Sequence, residues 1–178
     1  MDSECMRTLS SSKKVAGSPK SEGFKGFSKA NLLQKTFNSL TDAIFILDAE
    51  VPPRILECNR AASNIFGYEK AEMLGKTTAF LHVSDETLKE FQSLLYPAME
   101  KGDTYFDLSE HKMKRKDGSV FPSKHSVAQL LNDRGERIGW VSIVRDITKR
   151  KRAEEALRQS EERFRRLSEA TFEAIAIH

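Results

Sequence analysis

Two histidines, His111 and His125, stand in alternating polar and apolar runs on either side of Asp117-Gly118. Asp-Gly between two such runs is the strongest short hairpin signal a sequence offers. A hairpin closed there, with a one-residue bulge, sets the two rings side by side. Paired imidazoles can bind an anion, ligate a metal or sense pH. Equally, they can hydrogen-bond core groups or water and simply tolerate burial. A slip of one residue in register would turn both rings outward. They are the only candidates here for an acid–base pair. No phospho-acceptor box, cyclase motif or phosphate-cradling glycine loop accompanies them, so the chain is expected to carry no catalysis of its own. Cys5 and Cys58 lie far apart, match no metal spacing, and suit a reducing cytoplasm better than a disulfide framework.

The remaining sequence has to position those rings. Of 178 residues, 31% are charged and 39% apolar, which suits a soluble globular domain with exposed helical parts. The net charge of +3 is too mild to argue for nucleic acid. No apolar run has the length of a membrane span and no signal peptide opens the chain, so a cytoplasmic setting without direct membrane contact is expected. Residues 1–27, rich in Ser, Lys and Gly, read as a disordered tail. Residues 28–42 carry a flanking helix, with Ser28 as N-cap and Leu32, Leu33, Phe37 and Leu40 at helical spacing. The domain proper covers residues 43–148. Strands at 43–48 and 54–59 enclose the turn Val51-Pro52-Pro53. Asn59 caps a short helix stopped by Gly67, and a second short helix stops at Gly75. A longer helix over 85–101 puts Leu88, Phe91, Leu94 and Leu95 on one face, with Pro97 expected to kink or shorten it. Three strands, 104–115, 120–131 and 138–147, complete an α+β pattern with helices on one face of an antiparallel sheet.

Several short motifs recur in a telling order: Asn59-Arg60-Ala61-Ala62 with Phe66-Gly67-Tyr68, then Glu72-Met73-Leu74-Gly75, Arg115-Lys116-Asp117-Gly118-Ser119, Phe121-Pro122, Gly139, and Asp146-Ile147-Thr148. Over about residues 30–150 the chain resembles the PAS sensory family. That resemblance implies a five-stranded antiparallel sheet cupping a pocket beneath short helices, used to sense a ligand, cofactor or partner. Alternation sets Trp140, Ser142 and Val144 on one face of the last strand. Comparison with flavin-binding relatives turns that face to the pocket, with Phe45, Leu47, His111, Met113, Ser123, His125 and Val127. Thr78 stands where light-sensing relatives carry a reactive cysteine, which argues against a LOV-type flavin adduct. Haem relatives place a histidine on the long helix. Residues 85–101 have none, although His82 lies just before. A non-covalent flavin near Trp140 remains open, and a small organic ligand, or none, is the expectation. No metal site is assigned.

After Asp146-Ile147-Thr148, a β-branched strand becomes a charged helix with no Gly or Pro between them. In the family this motif marks the hand-over to a helical linker. Asp146 or Thr148 can cap the first free N–H groups, and Asp146 is expected to pair with the basic cluster 149–152, whose charge is unfavourable at a helix N-terminus. Ala153, Leu157, Ser160, Phe164 and Leu167 follow alternating steps of four and three, the seam of a coiled coil over 149–168. Phe37…Asp48 is echoed by Phe164…His178, so residues 169–178 read as the start of a second, truncated repeat. The expectation is a homodimeric input module of a larger bacterial or archaeal signalling protein, such as a two-component sensor. Ligand occupancy would pass through the joint to an effector domain elsewhere in the parent. The rival reading is a ligand-free module that serves only dimerisation.

Overall fold

The computed structural model describes residues 28–176, with side chains through residue 167. The tail expected over residues 1–27 lies outside the described residues, as does His178. Ten elements and one 3₁₀ turn follow in order: α1 (Lys29–Ser39), β1 (Ala43–Leu47), β2 (Ile55–Cys58), α2 (Arg60–Phe66), α3 (Lys70–Met73), the 3₁₀ turn Thr78–Leu81, α4 (Asp85–Glu100), β3 (Tyr105–Lys114), β4 (Val120–Leu131), β5 (Arg137–Asp146) and α5 (Thr148–Ala176). The strands form one antiparallel sheet in the order β2-β1-β5-β4-β3. The α+β expectation therefore holds.

Local chemistry explains the elements. Ser28 accepts from the Asn31 N–H and starts α1. Asn59 caps α2 by accepting from the Ala62 N–H at 3.1 Å, and it also accepts from the Ile44 N–H at 3.0 Å. Its amide donates to the Asp42 and Phe37 carbonyls. One buried side chain thus ties the end of α1, the start of β1 and the start of α2 together, with its hydrogen-bonding capacity used. Gly67 ends α2 at φ 77°, a conformation that costs a residue with a Cβ.

Along β4, Phe121, Ser123, His125 and Val127 are buried and alternate with more exposed residues, so this face meets the core. Phe45, Phe66 and Phe121 pack edge to face, with centroids 5.7 and 5.5 Å apart. The α4 helix lies over the inner face through Phe91, Leu95 and Met99.

Two expectations are corrected. Pro97 does not end α4, because the hydrogen bond it forgoes falls in the last turn and the helix reaches Glu100. Leu94 points outward at 51% exposure, since the packed stripe runs Leu88, Phe91, Leu95, Met99. Over the segment read as the start of a second repeat, α5 runs on as helix to Ala176.

Candidate functional site

A cavity of about 190 Å³ lies between the inner face of the sheet, α4 and the 3₁₀ turn. Its floor is Phe45 and Leu47 of β1, Met113 of β3, His125 and Val127 of β4, and Trp140, Ser142 and Val144 of β5. Each of these was expected at the pocket, and strand alternation is what delivers them to one face. Thr78 lines the roof with Leu81 and His82. The α4 helix adds Phe91, Gln92, Leu95 and Tyr96, and the β1–β2 turn adds Pro52 and Pro53.

His111 and Ser123 are brought to the same side but do not line the cavity. The β3–β4 register shifts between Leu108 and His111, placing His125 opposite Leu108 and Ser123 opposite His111. The His111 ring then stacks on His125, centroids 5.8 Å apart, with Phe91 at 5.4 and 4.7 Å from the two. Ser123 is fully buried and its hydroxyl donates to the His111 carbonyl at 2.9 Å.

A third imidazole completes the cluster. His82 Nδ1 lies 3.1 Å from His111 Nε2, and its ring is 6.2 Å from that of His125. His125 Nε2 is 3.4 Å from the Ser142 hydroxyl, whereas its buried Nδ1 has no partner. Burial pushes the His82 pKa down to about 4 and the His125 pKa down to about 3, with neighbouring imidazoles adding to both. Burial also lowers His111, against the nearby Glu90 carboxylate. The cluster is therefore neutral near pH 7. Among the described residues, no three His, Cys, Asp or Glu side chains are placed to hold a metal ion. Cys58 is a buried thiol whose pKa burial raises, and it does not line the cavity.

The sequence reading missed His82 and the α4 wall. The apolar stripe of α4 carries the signal for Phe91 and Leu95, because a helix over a sheet must bury that stripe. His82 has no comparable signal, since its ring partners come from β3, β4 and α4.

The joint lies at the far end of the same sheet. Asp146 closes β5, Ile147 is buried, and Thr148 opens α5, its N–H donating to Asp146 Oδ1 at 2.8 Å. Arg115 donates to Asp146 Oδ2 at 2.7 Å and to the Ile65 carbonyl of α2, with its guanidinium 3.9 Å from the Phe121 ring centre. Burial alone would raise the Asp146 carboxyl, but the contacts from Thr148 and Arg115 outweigh it and hold the pKa below its ordinary value. The expected pairing of Asp146 with the basic cluster does not form, because Arg115 already occupies it. Lys151 pairs instead with Glu110 of β3, and Arg150 with Glu154 one turn on. Along α5, the seam residues Ala153, Leu157, Ser160, Phe164 and Leu167 are all exposed, Leu157 at 61%, Phe164 at 73% and Leu167 at 63%. No helix among the described residues is long and apolar enough to cross a membrane.

Comparison with known proteins gives this geometry a context. The sequence model of the PAS domain matches residues 41–149. The chain is 31% identical over 109 residues to the sensor protein TdiS of Thauera aromatica, covering 61% of this chain and 19% of TdiS. It is 28% identical over 119 residues to a blue-light photoreceptor of Listeria monocytogenes, covering 66% of this chain and 46% of that protein. The chain thus spans less than half the length of these two curated relatives. Among solved structures, the PAS domain of a protein from Colwellia psychrerythraea superposes with a TM-score of 0.60 at 25% identity, over 67% of this chain and 98% of that one.

Proposed function

This chain belongs to the PAS domain family, a family of sensory modules in signalling proteins, and from that premise we propose that it couples the occupancy of its cavity to the α5 helix. One observation carries the reading. The strand that walls the cavity with Trp140, Ser142 and Val144 enters α5 after a single buried residue, Ile147. A displacement of β5 by a ligand has no loop in which to dissipate. The Arg115 clasp adds a second attachment, linking the end of α2 to Asp146 at the joint.

The output side of the proposal is a homodimer in which two α5 helices pair along Leu157 and Phe164, passing a shift in packing to an effector domain of a longer parent. Such a coil is short, and a marginal pairing suits a switch between states only a few kcal/mol apart. Phe164→Glu puts a charge in the seam, and the dimer is expected to weaken by about 100-fold or more by analytical ultracentrifugation. A wild-type chain that stays monomeric at all accessible concentrations overturns the dimer.

Asp146→Ala tests the coupling itself. It removes the bond to the Thr148 N–H and the ion pair with Arg115, a local loss of about 1–2 kcal/mol. Amide exchange in the first two turns of α5 should accelerate about 10-fold while exchange in β1 and β5 stays protected. Wild-type exchange in α5 would refute the joint as a coupling element.

A further inference from the structure

We infer that Phe91 sets the size limit of the cavity by closing it against His111 and Phe106, and that the space it leaves takes a single-ring, uncharged, apolar compound. The inference rests on the sensory reading above and names the ligand class of that site.

The boundary comes first. Phe91 lines the cavity, whereas His111 and Phe106 do not, although both touch the Phe91 ring with centroids 5.4 and 6.0 Å away. The Phe91 ring therefore stands between the cavity and those two side chains. It is 7% exposed, and the His82 and His125 rings hold it at 5.6 and 4.7 Å. Packed on three imidazoles, it has no free rotamer in which to yield to a larger ligand. The partly exposed lining residues, Pro53, Thr77, Gln92 and Tyr96, mark the mouth, between the β1–β2 turn, the start of the 3₁₀ turn and α4.

Size comes second. A dry cavity of about 150 Å³ lined by Leu, Ile and Phe is enough for benzene. Sites for drug-sized ligands begin at about 300 Å³. At about 190 Å³, this cavity has room for one ring and a short substituent.

Charge comes third. Among the described residues, no Lys, Arg, Asp or Glu lines the cavity, and its two histidines are neutral near pH 7. A carboxylate or ammonium entering it would lose its hydration with no counter-charge in reach. Two polar side chains of the wall face protein partners. The Ser142 hydroxyl lies 3.4 Å from His125 Nε2, and His82 Nδ1 lies 3.1 Å from His111 Nε2. Most of the remaining wall is hydrocarbon and aromatic ring, from Phe45, Leu47, Leu95, Met113, Val127 and Trp140. Such a wall favours an apolar solute, and its aromatic faces favour a flat ring over a chain.

The test follows the indole N–H NMR signal of Trp140, which walls the cavity and is the one tryptophan of the chain. The full chain is titrated with toluene, benzoate and naphthalene. Toluene and benzoate share a ring and differ in charge, and naphthalene adds a second ring. Saturable toluene binding, tighter than naphthalene and at least about 10-fold tighter than benzoate, supports the assignment. Phe91→Ala opens the space toward His111 and Phe106, so naphthalene should gain on toluene by about 10-fold in the ratio of their affinities. Phe91→Leu carries the same comparison, in the same direction, where the alanine variant does not fold. An unchanged ratio in the folded variant overturns the role of Phe91. In the wild type, benzoate binding as tight as toluene overturns the uncharged class, and naphthalene binding as tight as toluene overturns the one-ring limit. Failure of all three probes overturns the inference altogether. None of these failures touches the coupling reading, which stands or falls on α5 amide exchange in Asp146→Ala.

Discussion

Gly139→Ala should destabilise the domain by about 3 kcal/mol, read as a lowered urea midpoint with an unchanged denaturant slope. A Cβ built at this position meets the Leu47 carbonyl oxygen at 2.4 Å and the Leu47 carbonyl carbon at 3.5 Å. Both atoms are backbone, so no rotamer change can relieve the contact. Leu47 pairs with Trp140 in the central β1–β5 ladder, and the clash must push those strands apart or bend one of them. Gly135→Ala is the control. Gly135 sits at φ +78° with nothing within 4 Å of an added Cβ, so alanine there costs about 1–2 kcal/mol through conformation alone. If the two variants lose the same stability, steric contact at Leu47 is not what holds Gly139. The site is affected too. Trp140 and Leu47 both wall the cavity, so the displaced strands reshape it in Gly139→Ala and leave it intact in Gly135→Ala.

The parts of this molecule legible in its sequence are those fixed by short-range rules. Asp117-Gly118 forms its turn, and the bulge needed to bring His111 beside His125 is present. Ser28 and Asn59 cap the helices they precede because a side-chain oxygen at that position has only the adjacent N–H groups to satisfy. Alternation grouped Trp140, Ser142 and Val144 on one face of the last strand, and the resemblance to flavin-binding relatives turned that face, with the matching residues of the other strands, toward the pocket. What escaped the reading depends on distant partners. Whether Leu94 or Met99 joins the buried stripe of α4 depends on how the helix lies on the sheet. Asp146 was expected to answer the positive charge next to it in sequence, but the β3–β4 hairpin brings Arg115 to it instead. His82 could not be placed because its ring contacts come from β3, β4 and α4, each fixed only by the finished fold.

That histidine cluster sets the pH behaviour of the whole domain. Stability should fall as pH drops from about 6.5 toward 4, well before the carboxylates titrate. The sign follows from the direction of the shifts. An unfolded histidine titrates near 6.5, while burial holds His82 at about 4 and His125 at about 3 in the folded state. Between those values the unfolded chain binds the extra proton and the native chain does not, so stability rises with pH across the window. It is fully present above 6.5 and exhausted once pH passes below the folded values. His111 contributes in the same direction, moderated by Glu90. Asp146 and Asp107, whose pKa values are depressed, act in a separate window below their ordinary value of 3.8. For His125 alone the linkage amounts to about 3–5 kcal/mol. Urea denaturation at intervals from pH 4 to pH 7.5 measures it, and His125→Phe should flatten the slope by removing the most deeply buried group. A stability profile flat across that range would mean that the cavity admits enough water to solvate a charged ring.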